Sequence, residues 1–118
     1  MGRRRPTPDA HSSNFVVREA AMRAAVNMPF QGSAADIMKL AMVKVQQKLD
    51  QLTANSSQLT AANQPKILLQ IHDSLIVECA EEYAKEVTDL LKNTMETAYK
   101  LPVKLTVDTS IGKNWGEL

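Results

Sequence analysis

Residues 66–79 read KILLQIHDSLIVEC, two apolar runs separated by a polar trio at positions 72–74. Short runs of Ile, Leu and Val interrupted in this way are typical of two antiparallel strands joined by a tight turn. Such a turn lifts its side chains out of the sheet, while the packed strands hold it in place. The stretch therefore predicts a β-hairpin that carries His72 and Asp73 at its tip.

Helical periodicity flanks the hairpin on both sides. Apolar residues recur at helical spacing over residues 14–28, and Pro29 favours an end or a kink of that helix. Ser33 and Asp36 match a capping box, which predicts the start of a second helix with a continuous apolar stripe. The same spacing predicts a third helix over residues 81–98.

The remaining segments complete the predicted fold. After Pro102, apolar and polar residues alternate over 103–108 as in a half-buried strand. Residues 53–65 are polar and without period, which predicts a variable surface loop, and residues 1–13 predict a flexible basic arm. Residues 14–118 are then an α+β fold, in which three helices cover a small antiparallel sheet made of the hairpin and the C-terminal strand.

Composition limits the class of protein. The 118 residues, 44% hydrophobic and 23% charged, fit one globular domain. No apolar stretch approaches the roughly 18 residues of a membrane span, and the N-terminus lacks the apolar segment typical of a signal peptide, so we expect a cytoplasmic protein without a membrane partner. The single cysteine, Cys79, excludes an internal disulfide and a cysteine-cluster zinc site.

Asp73 is the first candidate for chemistry. A carboxylate at a rigid turn is a hard oxygen ligand of the kind that Mg²⁺ prefers. A site with two metal ions needs at least two converging acidic groups, however, and the next residue is the neutral Ser74. A partner carboxylate must therefore come from another segment. The alternative is that Asp73 only caps its own turn.

Three polar side chains form a second candidate, because Arg23, Asn27 and Gln31 are spaced by four residues. Arg23 and Asn27 lie on one helix face, and Gln31 follows just past Pro29. Such side chains donate hydrogen bonds to the acceptors that every base pair presents in the minor groove of DNA. The alternative is an ordinary solvated helix face. The five arginines all lie within the first 23 residues, which also favours an anionic partner.

Four motifs in fixed order carry a resemblance to a known family. They are GRRR at 2–5, REAAMRAAVNMPFQGSAADIMKLAM at 18–42, LLQIHDSLIVE at 68–78 and IGKNW at 111–115. Together they resemble the C-terminal palm segment of a family A DNA polymerase, the bacterial DNA polymerase I type. The resemblance covers nearly the whole chain and weakens only in the 53–65 loop.

The resemblance implies a role for each candidate residue. Asp73 would be a catalytic aspartate that binds one of two Mg²⁺ ions in the intact enzyme, and His72 would lie against the primer terminus. Arg23, Asn27 and Gln31 would contact primer and template in the minor groove. The implied activity is templated nucleotidyl transfer from a dNTP to a primer 3′-hydroxyl in DNA replication and repair, inside a bacterial cell at the nucleoid.

Two departures from the family pattern matter. The family usually has an acidic residue after the hairpin aspartate, where this chain has Ser74, so metal affinity or pH response is expected to differ. The resemblance also begins after the fingers helix that holds the dNTP and after the palm strand with the other metal-binding aspartate. The partners implied are primer–template DNA, dNTP and these fingers, thumb and upstream palm segments, and the 118 residues alone are expected to be inactive.

Two other functions remain open from the sequence. A free-standing, catalytically inactive duplex-binding module would keep the Arg23, Asn27 and Gln31 row and tolerate Ser74. A small metal-dependent hydrolase built on His72 and Asp73 would need a further carboxylate.

Overall fold

The computed structural model describes all residues from Met1 to Leu118. The chain has two α-helices with a β-hairpin between them in sequence. The helices are α1 (Phe15–Asn55) and α2 (Ala84–Glu96), and the hairpin strands are β1 (Lys66–Ile71) and β2 (Ser74–Glu78). Short 3-10 helices cover Pro8–His11, Glu81–Tyr83 and Trp115–Glu117. The predicted α+β class is confirmed. The chain divides into two compact units, Met1–Ile37 and Met38–Leu118.

One long helix replaces the first two predicted helices. α1 continues through Pro29, so the break expected there is wrong. The proline removes one backbone donor, but the turns on either side keep their own hydrogen bonds and the exposed ring points to solvent. The capping box at Ser33 is wrong for the same reason, because a residue inside a helix has no free amide donors next to it to satisfy. Two α-helices, rather than three, accompany the hairpin.

Gly32 makes room inside α1 for a neighbouring side chain. A β-carbon at Gly32 would lie 3.0 Å from Cε of Met28, one turn earlier, and 3.4 Å from its sulfur. The glycine therefore avoids a close contact with the flexible end of the Met28 side chain. Its cost in helix propensity is about 1 kcal/mol, which the flanking helix tolerates.

The start of α1 is where the sequence predicts order to begin. The Asn14 side chain accepts hydrogen bonds from the backbone amides of Val16 at 3.0 Å and Val17 at 3.3 Å, as an N-cap does. In the first turn the Arg18 guanidinium lies 5.6 Å from the centre of the Phe15 ring. The arm before it contains one 3-10 helix, Pro8–His11. Flexibility of that arm stays a prediction.

The core of the second unit lies between α1, the hairpin and α2. Val45 and Leu49 of α1 and Val87 of α2 are its buried centre. Apolar residues of the hairpin and of α2 pack around it, namely Ile67, Leu75, Val77, Cys79, Leu90, Leu91 and Met95, together with Leu52 and Tyr83. The apolar stripe predicted for this part of α1 is confirmed, because Met38, Ala41, Val45 and Leu49 are all buried. The core anchors the base of the hairpin.

The hairpin has the predicted antiparallel pairing with one irregularity. Ile71 pairs with Ser74 and Ile67 with Val77, and a β-bulge falls between Ile67 and Leu69. The bulge leaves Leu68 without a partner. Leu75 and Val77, two residues apart on β2, share a face and both pack against the core. Two residues, His72 and Asp73, are left to form the turn.

Side-chain hydrogen bonds connect the elements of the second unit. The Lys44 ammonium on α1 donates to the carbonyl of Ala98 at 2.6 Å, just beyond the end of α2. The ammonium group satisfies a carbonyl that has no partner in the helix, and its positive charge interacts favourably with the negative end of the helix dipole. The Tyr83 hydroxyl donates to Oε1 of Gln58 at 3.0 Å, which ties the connection between α1 and β1 to the start of the α2 region.

The predicted C-terminal strand is wrong. The sheet has two strands, and residues 103–108 form no ladder with either of them. The amide of Val107 instead donates to the Glu96 carboxylate at 3.0 Å, so this segment is held through a side chain. Alternating polarity sets the faces of an extended segment but supplies no pairing partner. None of the helices combines the length and apolar character needed to cross a membrane.

Candidate active-site hairpin and nucleic-acid interface

The tip of the hairpin holds its backbone in an unusual conformation. His72 has a φ of +52°, the left-handed region that residues other than glycine rarely adopt. Asp73 has no positive φ, so the signs are those of a type II′ turn, whose twist suits antiparallel strands. The closing pair Ile71 and Ser74 fixes both ends of the turn. His72 and Asp73 are therefore presented at a defined place.

Gln70 stabilises this turn through a contact that no sequence pattern predicted. Its side-chain amide donates to the carbonyl oxygen of His72 at 2.6 Å. The bond reaches over Ile71 and restrains the peptide that joins His72 to Asp73. A glutamine in a strand has no spacing signal for such a contact, because it depends on the geometry of the turn itself.

The structure places the Asp73 carboxylate in solvent, together with His72 and Ser74. No group of three His, Cys, Asp or Glu side chains comes together anywhere in the protein. The residues present thus do not fit a complete metal site by themselves. Asp73 is an accessible carboxylate at the predicted turn, and no second carboxylate lies beside it. Its role as a metal ligand stays a prediction.

The three-residue row Arg23, Asn27 and Gln31 lies in the first unit, on α1. Because α1 is continuous, all three positions belong to one helix, each rotated by only about 40° from the one before. They span about 12 Å along the axis, and all three side chains are exposed. Arg23 forms no salt bridge. The one ion pair of the protein joins Arg3 to Asp36. The continuous helix makes this row straighter than the sequence indicated.

The Arg3–Asp36 ion pair is a second feature that the sequence did not predict. Arg3 Nε donates to Asp36 Oδ1 at 2.9 Å and to Oδ2 at 3.2 Å, and its Nη2 lies 2.9 Å from Oδ1. The sequence assigned Asp36 to a helix cap and Arg3 to a flexible arm. Their 33-residue separation leaves no local pattern that could connect them.

Cys79 is unsuited to nucleophilic chemistry. Partial burial in the core, and secondarily the neighbouring Glu78 carboxylate, raise the pKa of the thiol above its ordinary value. The thiol is protonated at neutral pH, whereas the thiolate is the reactive form. The side chain serves as core packing at the end of the hairpin.

Comparison with known proteins identifies the family. The model of DNA polymerase family A matches residues 1–117, and the chain belongs to this family. The thermostable DNA polymerase I of Thermus filiformis is 47% identical over 99% of this chain and 13% of its own length. The thermostable DNA polymerase I of Thermus aquaticus is 46% identical over 98% of this chain and 12% of its own length.

A solved structure agrees with these relatives. The polymerase domain of Pol1 from M. smegmatis, in complex with DNA primer–template and dNTP, is 46% identical and superimposes with a TM-score of 0.75. The match covers 88% of this chain and 17% of that one. This chain thus spans about an eighth of the length of the curated relatives, and it corresponds to one segment of a DNA-directed DNA polymerase.

Proposed function

We propose that the chain is the C-terminal palm segment of a bacterial DNA polymerase that extends a primer 3′-hydroxyl with dNTPs in DNA replication and repair. The observation that supports this most is the family match over residues 1–117. The relative of known structure was solved with primer–template DNA and dNTP, the partners that such a reaction requires. The further partners are the fingers, thumb and upstream palm of the same enzyme.

The exposure of Asp73 at the rigid turn supports its part in this proposal. Its carboxylate would hold a divalent cation together with a carboxylate outside these residues. Polymerases of this family use divalent metals, and Mg²⁺ held there would stabilise the negative charge that develops in phosphoryl transfer. Ser74 adds a neutral hydroxyl where another carboxylate would raise the negative charge, so Asp73 alone carries the charge of the hairpin tip.

His72 and the three-residue row position the duplex. The exposed His72 contacts the primer terminus next to Asp73. Arg23, Asn27 and Gln31 present unused donors along about 12 Å of helix, which spans three to four base pairs at about 3.4 Å each. Minor-groove N3 and O2 acceptors occur in every base pair, so these residues hold the duplex without selecting a sequence.

A second candidate function is a duplex-binding module without catalysis. The single carboxylate at the hairpin and the absence of a three-ligand cluster favour it. Both functions predict no primer extension by the purified 118 residues. They differ when the missing polymerase segments are supplied, because only the polymerase segment then supports nucleotide incorporation.

Duplex binding tests the row directly. We expect Arg23→Ala to weaken binding of a fluorescently labelled primer–template duplex about fivefold, because the loss of one such contact costs about 1 kcal/mol. Gln31→Ala should have a similar effect, equal on A·T-rich and G·C-rich duplexes. Fluorescence anisotropy measures both.

Gln47→Ala is the matched control, since Gln47 is an exposed glutamine on the same helix outside the row. If Arg23→Ala and Gln31→Ala bind DNA as tightly as the control variant, the assignment of the row is wrong.

A further inference from the structure

The N-terminal motif GRRR at 2–5 is not explained by the proposed catalytic and minor-groove residues. Its first arginine, Arg3, is engaged by Asp36, whereas Arg4 and Arg5 are exposed and have no carboxylate partner. One arginine of the motif is therefore used inside the protein, and two are available to an external anion.

The Arg3–Asp36 pair is a fixed point in the arm. The Asp36 side chain is 12% exposed and that of Arg3 is 56% exposed, so the carboxylate lies largely within the protein while the arginine covers it from outside. A buried carboxylate is stable only when it is paired and hydrogen-bonded. The Nε–H of Arg3 donates to both carboxylate oxygens, and Nη2 lies within ion-pair distance of Oδ1, so both oxygens have a charged partner.

The residues after this fixed point have little freedom. Arg4 and Arg5 follow directly, at about 3.8 Å per residue. Pro6 and Pro8 fix their own φ angles, and Pro6 biases Arg5 toward an extended backbone. A restrained pair of arginines loses less entropy on binding than a free arm would.

We propose that Arg4 and Arg5 form a second DNA contact, to backbone phosphates, and that Arg3 and Asp36 are positioning residues that hold this contact in place. The contact rests on the proposed function for its ligand, but it is separate from the three-residue row. Asp36 lies nine residues after Asn27, or about two and a half helical turns, and so on the opposite side of α1. The Arg3–Asp36 pair therefore does not cover the row.

The variant Asp36→Asn separates positioning from simple charge. It removes a negative charge, so electrostatics alone predicts tighter binding to DNA. Loss of positioning predicts the reverse, and we expect duplex binding to weaken about fivefold, since coupled residues of this kind interact by about 1 kcal/mol. Asp36→Asn is preferable to a change at Arg3, because it leaves no buried carboxylate without a partner.

Two further measurements accompany the binding assay. The exposed Asp9 in the arm provides the control, and Asp9→Asn should leave binding unchanged or slightly tighter.

In ¹⁵N NMR spectra of the chain, the Arg3 Nε–H signal should be protected from solvent exchange, and Asp36→Asn should abolish that protection. Arg4→Ala and Arg5→Ala should each reduce the slope of log affinity against log salt by about 0.9.

The outcomes distinguish the two proposals. Tighter or unchanged binding by Asp36→Asn would overturn the positioning role, and unchanged salt slopes for Arg4→Ala and Arg5→Ala would overturn the phosphate contact. An exchanging Arg3 Nε–H in the unmodified chain would also overturn the positioning role, without any use of DNA. Failure of the unmodified chain to bind DNA, with Arg3 Nε–H protected, would instead contradict the proposed function and the phosphate contact together.

Discussion

Replacing Asp73 by asparagine is expected to lower nucleotide incorporation at least about a hundredfold in a chimeric polymerase. In that chimera the 118 residues replace the matching segment of Thermus aquaticus DNA polymerase I, which is 46% identical. Asparagine keeps the size of the side chain and its place in the turn but removes the negative charge. Substitution of a residue that only orients a metal ligand lowers metal affinity or activity about 10- to 100-fold. Substitution of the ligand itself should lower activity at least as much. Single-nucleotide primer extension measures the loss.

The control for this variant is Asp89→Asn, which changes an exposed aspartate on α2. It should extend primers at the rate of the unmodified chimera. Primer–template affinity of the Asp73→Asn chimera should be nearly unchanged, because Asp73 acts on the reacting groups and not on the duplex. An Asp73→Asn chimera with the incorporation rate of its parent would exclude Asp73 from catalysis and leave the turn-capping interpretation.

Replacing Leu49 by alanine should produce the largest loss of stability. Leu49 is 1% exposed and packs with Val45 and Val87 at the centre of the core. The lost contacts and the cavity left behind cost about 2–5 kcal/mol. A domain of this size has a total stability of about 5–15 kcal/mol, so the variant should lose a large part of its free energy of unfolding. Urea denaturation followed by circular dichroism gives the free energy of unfolding.

Leu40→Ala is the matched substitution at an exposed position of the same helix, where Leu40 is 38% exposed. We expect it to cost less than about 1 kcal/mol. Equal losses for Leu49→Ala and Leu40→Ala would show that the packed centre of this unit lies elsewhere. The hairpin tip would then have no rigid support.

The hairpin was predictable from sequence because its signals are local. Two apolar runs and a polar trio lie within 14 residues, and the structure confirms the hairpin. Ser74 belongs to β2 and pairs with Ile71, so the turn has two residues where the pattern indicated three. The exposure of Asp73 follows from the same geometry. The bulge at Leu68 and the Gln70 contact to His72 were not predictable, since both depend on how the strands twist once they pair.

Errors arose where a local preference competes with structure elsewhere in the chain. Pro29 disfavours a helix at Met28, yet helical turns on both sides carry α1 through it. Residues 103–108 alternate like a strand but have no partner in the sheet. Asp36 fits a capping box only if a helix begins at Ser33. Its actual partner, Arg3, is set by tertiary structure, which spacing rules do not describe.

The central claim is that these residues form a working palm segment of a DNA polymerase, and primer extension by the unmodified chimera tests it most directly. With a divalent cation and a single dNTP, the chimera should add only the nucleotide complementary to the template base, at a rate within about tenfold of the Thermus aquaticus enzyme. A reduction of this size corresponds to about 1.4 kcal/mol, which Ser74 and imperfect packing at the junctions can account for. A chimera that unfolds cooperatively and binds the duplex as tightly as the parent enzyme, but incorporates no nucleotide, would contradict the claim.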